Sequence, residues 1–199
     1  MSDIKNIEQH YLLDERPFLE KVRGFCQLVD DRYSPYLTDF LNPREIQIVE
    51  ELAHYYNLKF FVSSTLESEE YGRVILAPEY YELDDDDFEI KRLEISYARQ
   101  FNKLTHPKVL GALINQLGLD RQVFGDIILD EEGRVQFSIA SHLASYAIMT
   151  ITKIGNVSVT LKEVSKDDWI SNQEKYSKTF VLLSSMRLDN VLATVLNLS

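Results

Sequence analysis

Arg99, Lys103, His106 and Lys108 fall within ten residues of one another, where Thr105-His106-Pro107 reads as the opening of a helix. The first amides of a helix have no partner inside it and form the positive end of its dipole, so cations gathered there favour an anion. Phosphate is the natural candidate. Gly111 inside the same helix is less favourable than alanine by about 1 kcal/mol. It therefore points to a close approach, either by a neighbouring helix or by the backbone of a ligand. Lys91 and Arg92 precede this segment and Arg121 follows it, which extends the candidate basic region over 91–121. Gly118 is placed to end the helix. Gly125-Asp126 can form a tight turn into a strand, with Asp126 fixing Arg121 or a loop amide.

Charge is partitioned rather than spread. The 199-residue chain carries 21 basic and 32 acidic side chains, a net charge of −11. A uniformly acidic surface repels nucleic acid. Residues 76–90, however, hold seven acidic and no basic side chains, whereas 91–108 hold five basic and one acidic. Screening over about 8 Å at physiological salt lets such a local patch act against the overall sign.

Signals for catalysis are poor. The four histidines, His10, His54, His106 and His142, are dispersed, and no metalloprotease, nucleophile-elbow, phosphate-loop or dinucleotide motif is present. His54 and His142 read as structural histidines on helices. The single cysteine, Cys26, excludes a disulfide framework and a multi-cysteine metal site, and it falls on the apolar face of a helix as buried filler. The expectation is a protein without catalytic residues, metal or small-molecule cofactor. No apolar run reaches the length of a membrane span, and the first residues lack the apolar stretch of a signal peptide, so a cytoplasmic location is expected.

The elements that must position the basic region are legible in outline. With 45% hydrophobic residues and 21 Tyr and Phe side chains, the chain can build a sizeable core. From Pro17, apolar residues at three- and four-residue spacing predict a helix, and Asn42-Pro43-Arg44-Glu45 predicts a second, capped by Asn42. Ser34-Pro35 with Tyr36-Leu37 predicts a turn packed inward. Residues 58–62 and 73–77 read as strands. The acidic run 79–87 reads as an extended, solvated linker. Beyond it, strand 88–97, helix 109–117, strand 125–129, a turn at Gly133, strand 135–139, a helix capped by Ser141 through about 151 and strand 157–164 follow one another. That order is β-α-β-β-α-β, the ferredoxin-like pattern shared by RNA-recognition motifs. The second hairpin strand offers one aromatic, Phe137, which reads as core, so base stacking on the sheet face is not expected. A strand at 179–183 and an amphipathic helix from 188 close the chain. The fold class is α+β: an N-terminal α/β domain at 1–78, the acidic linker at 79–87 and a ferredoxin-like domain at 88–184.

His106-x-x-x-Leu110-Gly111-Ala112-Leu113, Leu117-Gly118-Leu119-x-Arg121 and Gly125-Asp126-Ile127, together with Asn42-Pro43-Arg44-Glu45 and Met186-Arg187-Leu188-Asp189, resemble the YlmH family of bacterial RNA-binding proteins. The resemblance spans nearly the whole chain. It implies three modules: an N-terminal domain, a central RNA-recognition-like domain and a C-terminal alpha-L domain related to that of ribosomal protein S-four. Residues 185–199 would supply only the first helix of the last. Of that module's RNA-gripping start, Arg187, Asp189 and Asn190 can be carried over, with Arg187 near the RNA backbone. The resemblance implies partners among ribosomal RNA and tRNA, through the large ribosomal subunit or peptidyl-tRNA stalled on it, in ribosome-associated quality control. The family is often encoded near cell-division genes; the alternative is a protein-interaction module of the division machinery, whose net acidity and acidic 79–89 stretch would face a basic protein partner.

Overall fold

The computed structural model describes residues 11–63 and 69–170. The predicted strand at 179–183 and the terminal helix, with Arg187, Asp189 and Asn190, lie outside the described residues.

The N-terminal half is two helices on one face of a three-stranded antiparallel sheet. Helix α1, Arg16–Arg32, buries Leu19, Val22, Cys26 and Val29 at the spacing that keeps one side of a helix apolar. Helix α2, Pro43–Tyr55, begins with the predicted cap: the Asn42 carboxamide accepts from the Glu45 amide at 3.0 Å, and the Glu45 carboxylate accepts from the Asn42 amide at 2.9 Å. Asn42→Ala removes one half of this box and is expected to lower stability by about 1 kcal/mol. Urea denaturation checks this, and an unchanged midpoint refutes it.

The strands are β1, Tyr36–Leu41, β2, Lys59–Val62, and β3, Gly72–Ala77, in the order β1-β3-β2. Strand β1 stands where the sequence predicts an inward-packed turn. Its alternation is hidden by an irregularity between Leu37 and Phe40. There the Thr38 hydroxyl accepts from the Val74 amide at 2.9 Å, in place of a ladder partner. The central strand β3 is buried on both faces. Val74 and Leu76 meet the helices, while Ile75 and Ala77 meet Phe88.

The acidic run is solvated, yet it is not extended throughout. Asp85–Phe88 forms a 3-10 turn, with the Asp84 carboxylate accepting from the Asp86 amide and that of Asp87 from the Asp84 amide. Phe88, at the end of the turn, is the buried anchor.

The second half has the predicted order, with strands β4, Ile90–Ser96, β5, Phe124–Leu129, β6, Val135–Ala140, and β9, Thr160–Glu163, in one antiparallel sheet ordered β5-β6-β4-β9. Helices α3, His106–Leu117, and α4, Ser141–Thr150, cover one face. Leu93, Ile95, Val135, Phe137 and Ile139 form a core with Val109, Leu113, Ala144 and Ala147 beneath those helices. Gly118 ends α3 at φ 63°, the left-handed region that glycine enters without strain. Ser141 does not cap α4. The N-cap is Ala140, and the Ser141 amide donates to the Glu89 carbonyl at 2.7 Å. The predicted strand 157–164 is broken. Its first residues, Val157–Ser158 (β8), turn back through Gly155, at φ 59°, onto Lys153–Ile154 (β7), and only then does β9 join the sheet.

Candidate nucleic-acid interface

Alternation along β4 and β6 puts Arg92, Glu94, Gln136 and Ser138 on the sheet face away from α3 and α4. In RNA-recognition motifs that face carries stacked bases. Here it is closed by the protein itself. Phe137 is fully buried on the opposite side, under the helices. Residues 165–170 run across the free face as a strap. The Trp169 ring lies 4.1 Å from the Arg92 guanidinium carbon, the Asp168 carbonyl accepts from Gln136 at 3.0 Å, and the Ile170 amide donates to the Gln136 carboxamide at 3.0 Å. The N-terminal half covers the rest. The position where a Cβ would stand on Gly125 is 2.7 Å from Cε1 of Phe40 and 2.9 Å from Cβ of Ser138.

This closure redistributes the basic residues. Arg92 is 1% exposed and is not a surface cation. It pairs with Glu69 and donates to the Ile170 carbonyl at 3.2 Å and the Ser138 hydroxyl at 3.3 Å. Burial pushes the Glu69 carboxyl above its ordinary value, although Arg92 opposes the shift. Arg121 stacks on Tyr71 at 4.1 Å and donates to the Phe124 carbonyl, so it belongs to the seam between the halves. Asp126 fixes a loop amide, that of Tyr71, at 2.9 Å, and does not hold Arg121; burial raises its carboxyl too. Gly125 lies within β5 and not in a turn; the close approach of Phe40 demands it. Lys91 pairs with Glu163 at the surface. Arg99 contacts Glu94 at 3.3 Å, and Arg134 contacts the same carboxylate at 2.9 Å. Burial works to raise the Glu94 carboxyl, but hydrogen bonds from Arg134 and Gln136 win and hold it low.

Lys103, His106 and Lys108 remain exposed, and among the described residues none of them is in an ion pair. Thr105, at the N-cap of α3, makes no side-chain capping bond, which leaves the first-turn amides without a side-chain acceptor. Beside them runs an open cleft of about 550 Å³ between α3 and the β7–β8 hairpin. Lys103, Lys108, Gly111, Asn115, Gln116 and Asn156 line it, together with the apolar Leu104, Ala112, Ile154 and Val157. Gln116 also holds the hairpin to the helix by donating to the Lys153 carbonyl at 2.7 Å. A methyl group on Gly111 would meet nothing within 4 Å, so no neighbouring helix requires this glycine. Its place is in the cleft wall, where a ligand backbone can approach.

The sequence reading missed Asn115, Gln116 and Asn156, because the hairpin that completes the cleft was not visible in it. Neither exposed histidine outside the region, His54 or His142, is buried as a structural histidine. Cys26 is fully buried, and burial pushes its thiol up to about 11, against a role as nucleophile. Among the described residues no three His, Cys, Asp or Glu side chains gather as a metal site, and no helix is long and apolar enough to cross a membrane.

Residues 84–168, which run from the acidic turn to the strap and contain the cleft, match the family model described as "Putative RNA-binding domain in YlmH". The Bacillus subtilis (strain 168) "Ribosome-associated protein quality control protein P2" is 32% identical over 192 residues, covering 96% of this chain and 74% of that protein. The solved structure of "Cell division protein ylmH" from Streptococcus pneumoniae superposes with a TM-score of 0.72 at 40% identity, covering 81% of this chain and 98% of that one. The cationic cleft thus sits within the matched RNA-binding segment, and the likeness extends over nearly the full chain: the protein belongs to the YlmH family.

Proposed function

We propose that this chain is a non-catalytic RNA-binding protein that associates with the large ribosomal subunit or with peptidyl-tRNA held on it, acting in ribosome-associated quality control. One observation carries the reading. On an otherwise anionic molecule, Lys103 and Lys108, free of carboxylate partners among the described residues, line one open cleft whose wall joins carboxamides and glycine backbone to the apolar Leu104, Ala112, Ile154 and Val157. Phosphates lie against the lysines and the start of α3, and the carboxamides meet sugar and base edges. The quality-control role is suggested by the name of the B. subtilis relative. Arg187, Asp189 and Asn190 are proposed to add a second RNA contact, as the start of the family's alpha-L module. The acidic run 79–87 is proposed as the division between the two domains, and the cytoplasm as the place of action.

Binding of a labelled tRNA and of purified large subunits, measured across salt, tests this. Affinity is expected to fall steeply as salt rises, by counterion release. The double substitution Lys103→Ala with Lys108→Ala is expected to lower affinity on the order of tenfold and to reduce the salt slope by roughly two, about one per lost phosphate contact. Lys91→Ala, outside the cleft and paired with Glu163 at the surface, should lower affinity less than the cleft substitutions do. Equal effects at Lys91 and at the cleft lysines reject the cleft.

The name of the S. pneumoniae structure and the exposed Asp84–Asp86 favour a second reading, a protein-interaction module facing a basic division partner. A pull-down from nuclease-treated extract separates the two. Retained division proteins favour the second reading, and ribosomal proteins lost on nuclease treatment favour the first.

A further inference from the structure

The loop between β4 and α3, which carries Lys103 of the cleft wall, also presents an exposed aromatic ring. Phe101 is 84% exposed, the most exposed large apolar side chain among the described residues. It stands on a hydrogen-bonded turn. The Phe101 and Asn102 amides both donate to the Ala98 carbonyl, at 3.2 and 3.1 Å, and the Asn102 carboxamide donates to the same oxygen at 3.1 Å. Both ends of the loop are tied down. The Tyr97 hydroxyl donates to the Gly133 carbonyl at 2.8 Å, Arg99 reaches Glu94, and Leu104 is buried at 2% exposure. The backbone that carries the ring is therefore held by hydrogen bonds at the turn and tied at both ends of the loop.

Its surroundings indicate what it meets. Chain geometry alone keeps Phe101 within about 7 Å, Cα to Cα, of Lys103. Within 97–105 it is the single exposed large apolar side chain, flanked by Arg99, Asn102 and Lys103. An aromatic anchor for a protein partner normally sits inside an apolar patch. A lone ring two residues from an unpaired lysine is an arrangement that can accept a nucleobase while the lysine holds a neighbouring phosphate. The sheet face, where this fold otherwise stacks bases, is taken by Trp169 over Arg92.

We infer that the Ala98–Asn102 turn is a stacking post, on which Phe101 receives an unpaired nucleobase of an RNA whose neighbouring phosphates lie on Lys103 and Lys108. This rests on the RNA-binding reading above and adds to it a substrate class: RNA with a base outside a duplex, in a loop, bulge or single strand.

The test uses the full chain and two labelled RNAs with equal numbers of phosphates, one a hairpin with a seven-nucleotide loop, the other a blunt duplex. Phe101→Ala is expected to weaken hairpin binding about tenfold, to leave duplex binding within twofold, and to leave the salt slope unchanged. Phe101→Trp should retain hairpin affinity, because any flat ring stacks. Since the ring is exposed, thermal melts of both variants should match the parent. If Phe101→Ala leaves both RNAs unaffected while Lys103→Ala with Lys108→Ala weakens them, the stacking post is overturned and the RNA reading stands. If neither variant affects either RNA, both fail. Equal losses on hairpin and duplex, or a change in self-association in place of RNA binding, also overturn the stacking post.

Discussion

Arg92→Ala is expected to destabilise the protein by roughly 3–5 kcal/mol, the usual consequence of removing one member of a buried ion pair. Four interactions go together: the pair with Glu69, the donations to the Ile170 carbonyl and the Ser138 hydroxyl, and the stack under Trp169. Most of the loss is the penalty of leaving the Glu69 carboxylate unpaired in the seam, and not the net worth of the pair. A pH dependence follows. Burial already raises Glu69 above its unfolded value, so the folded state holds its proton more tightly than the unfolded chain does. Without Arg92 that preference grows. The deficit is therefore smallest below the unfolded carboxylate range and deepens as pH rises through the raised value towards neutral. Replacing both partners, Arg92→Met with Glu69→Gln, should recover much of the stability. Urea melts at pH 5 and pH 7.5 measure both effects. An unchanged midpoint in Arg92→Ala would mean that Arg92 is a surface cation after all, and would return it to the RNA-contacting set.

The second large effect is at Gly125. Any side chain there begins with a Cβ 2.7 Å from the Phe40 ring and 2.9 Å from Ser138, both within the packed seam. Gly125→Val is expected to lower stability by about 3 kcal/mol, at the upper end of the overpacking range. For a chain of this size that corresponds to a fall in melting temperature of roughly 6–12 °C. Phe40→Leu introduced alongside should relieve part of the clash, so that the two substitutions are markedly non-additive. Strict additivity in a double-mutant cycle would show that the ring is not the obstacle.

Both predictions concern residues that the sequence marks for other reasons. Arg92 sits in a basic run and reads as a phosphate ligand. Gly125-Asp126 reads as a turn. Neither assignment could come right from local pattern, because each depends on what lies opposite. Arg92 falls on the sheet face away from the helices, and Glu69 and Trp169, 23 and 77 positions away in the chain, are brought onto it. The cleft lysines were legible because exposure at a helix start is a local property, set by Pro107 and by the spacing of Val109, Leu113 and Leu117. The carboxamides facing them were not, since Asn156 reaches the cleft only through the turn at Gly155.

What the sequence determined by itself is most of the element order, without β1 and the β7–β8 hairpin, together with the Asn42–Glu45 cap and the glycine end of α3. Periodicity, capping residues and turn glycines act over a few residues, and they suffice for α1, α2 with its Asn42–Glu45 box, and the β-α-β-β-α-β succession. Tertiary structure alone decided which charges are free. Among Lys91, Arg92, Arg99, Lys103, Lys108 and Arg121, two lysines remain without a partner among the described residues, while the others are tied to carboxylates, carbonyls or rings distributed along the chain. A cation's availability depends on which groups the fold brings within about 4 Å of it, and sequence spacing does not encode that distance.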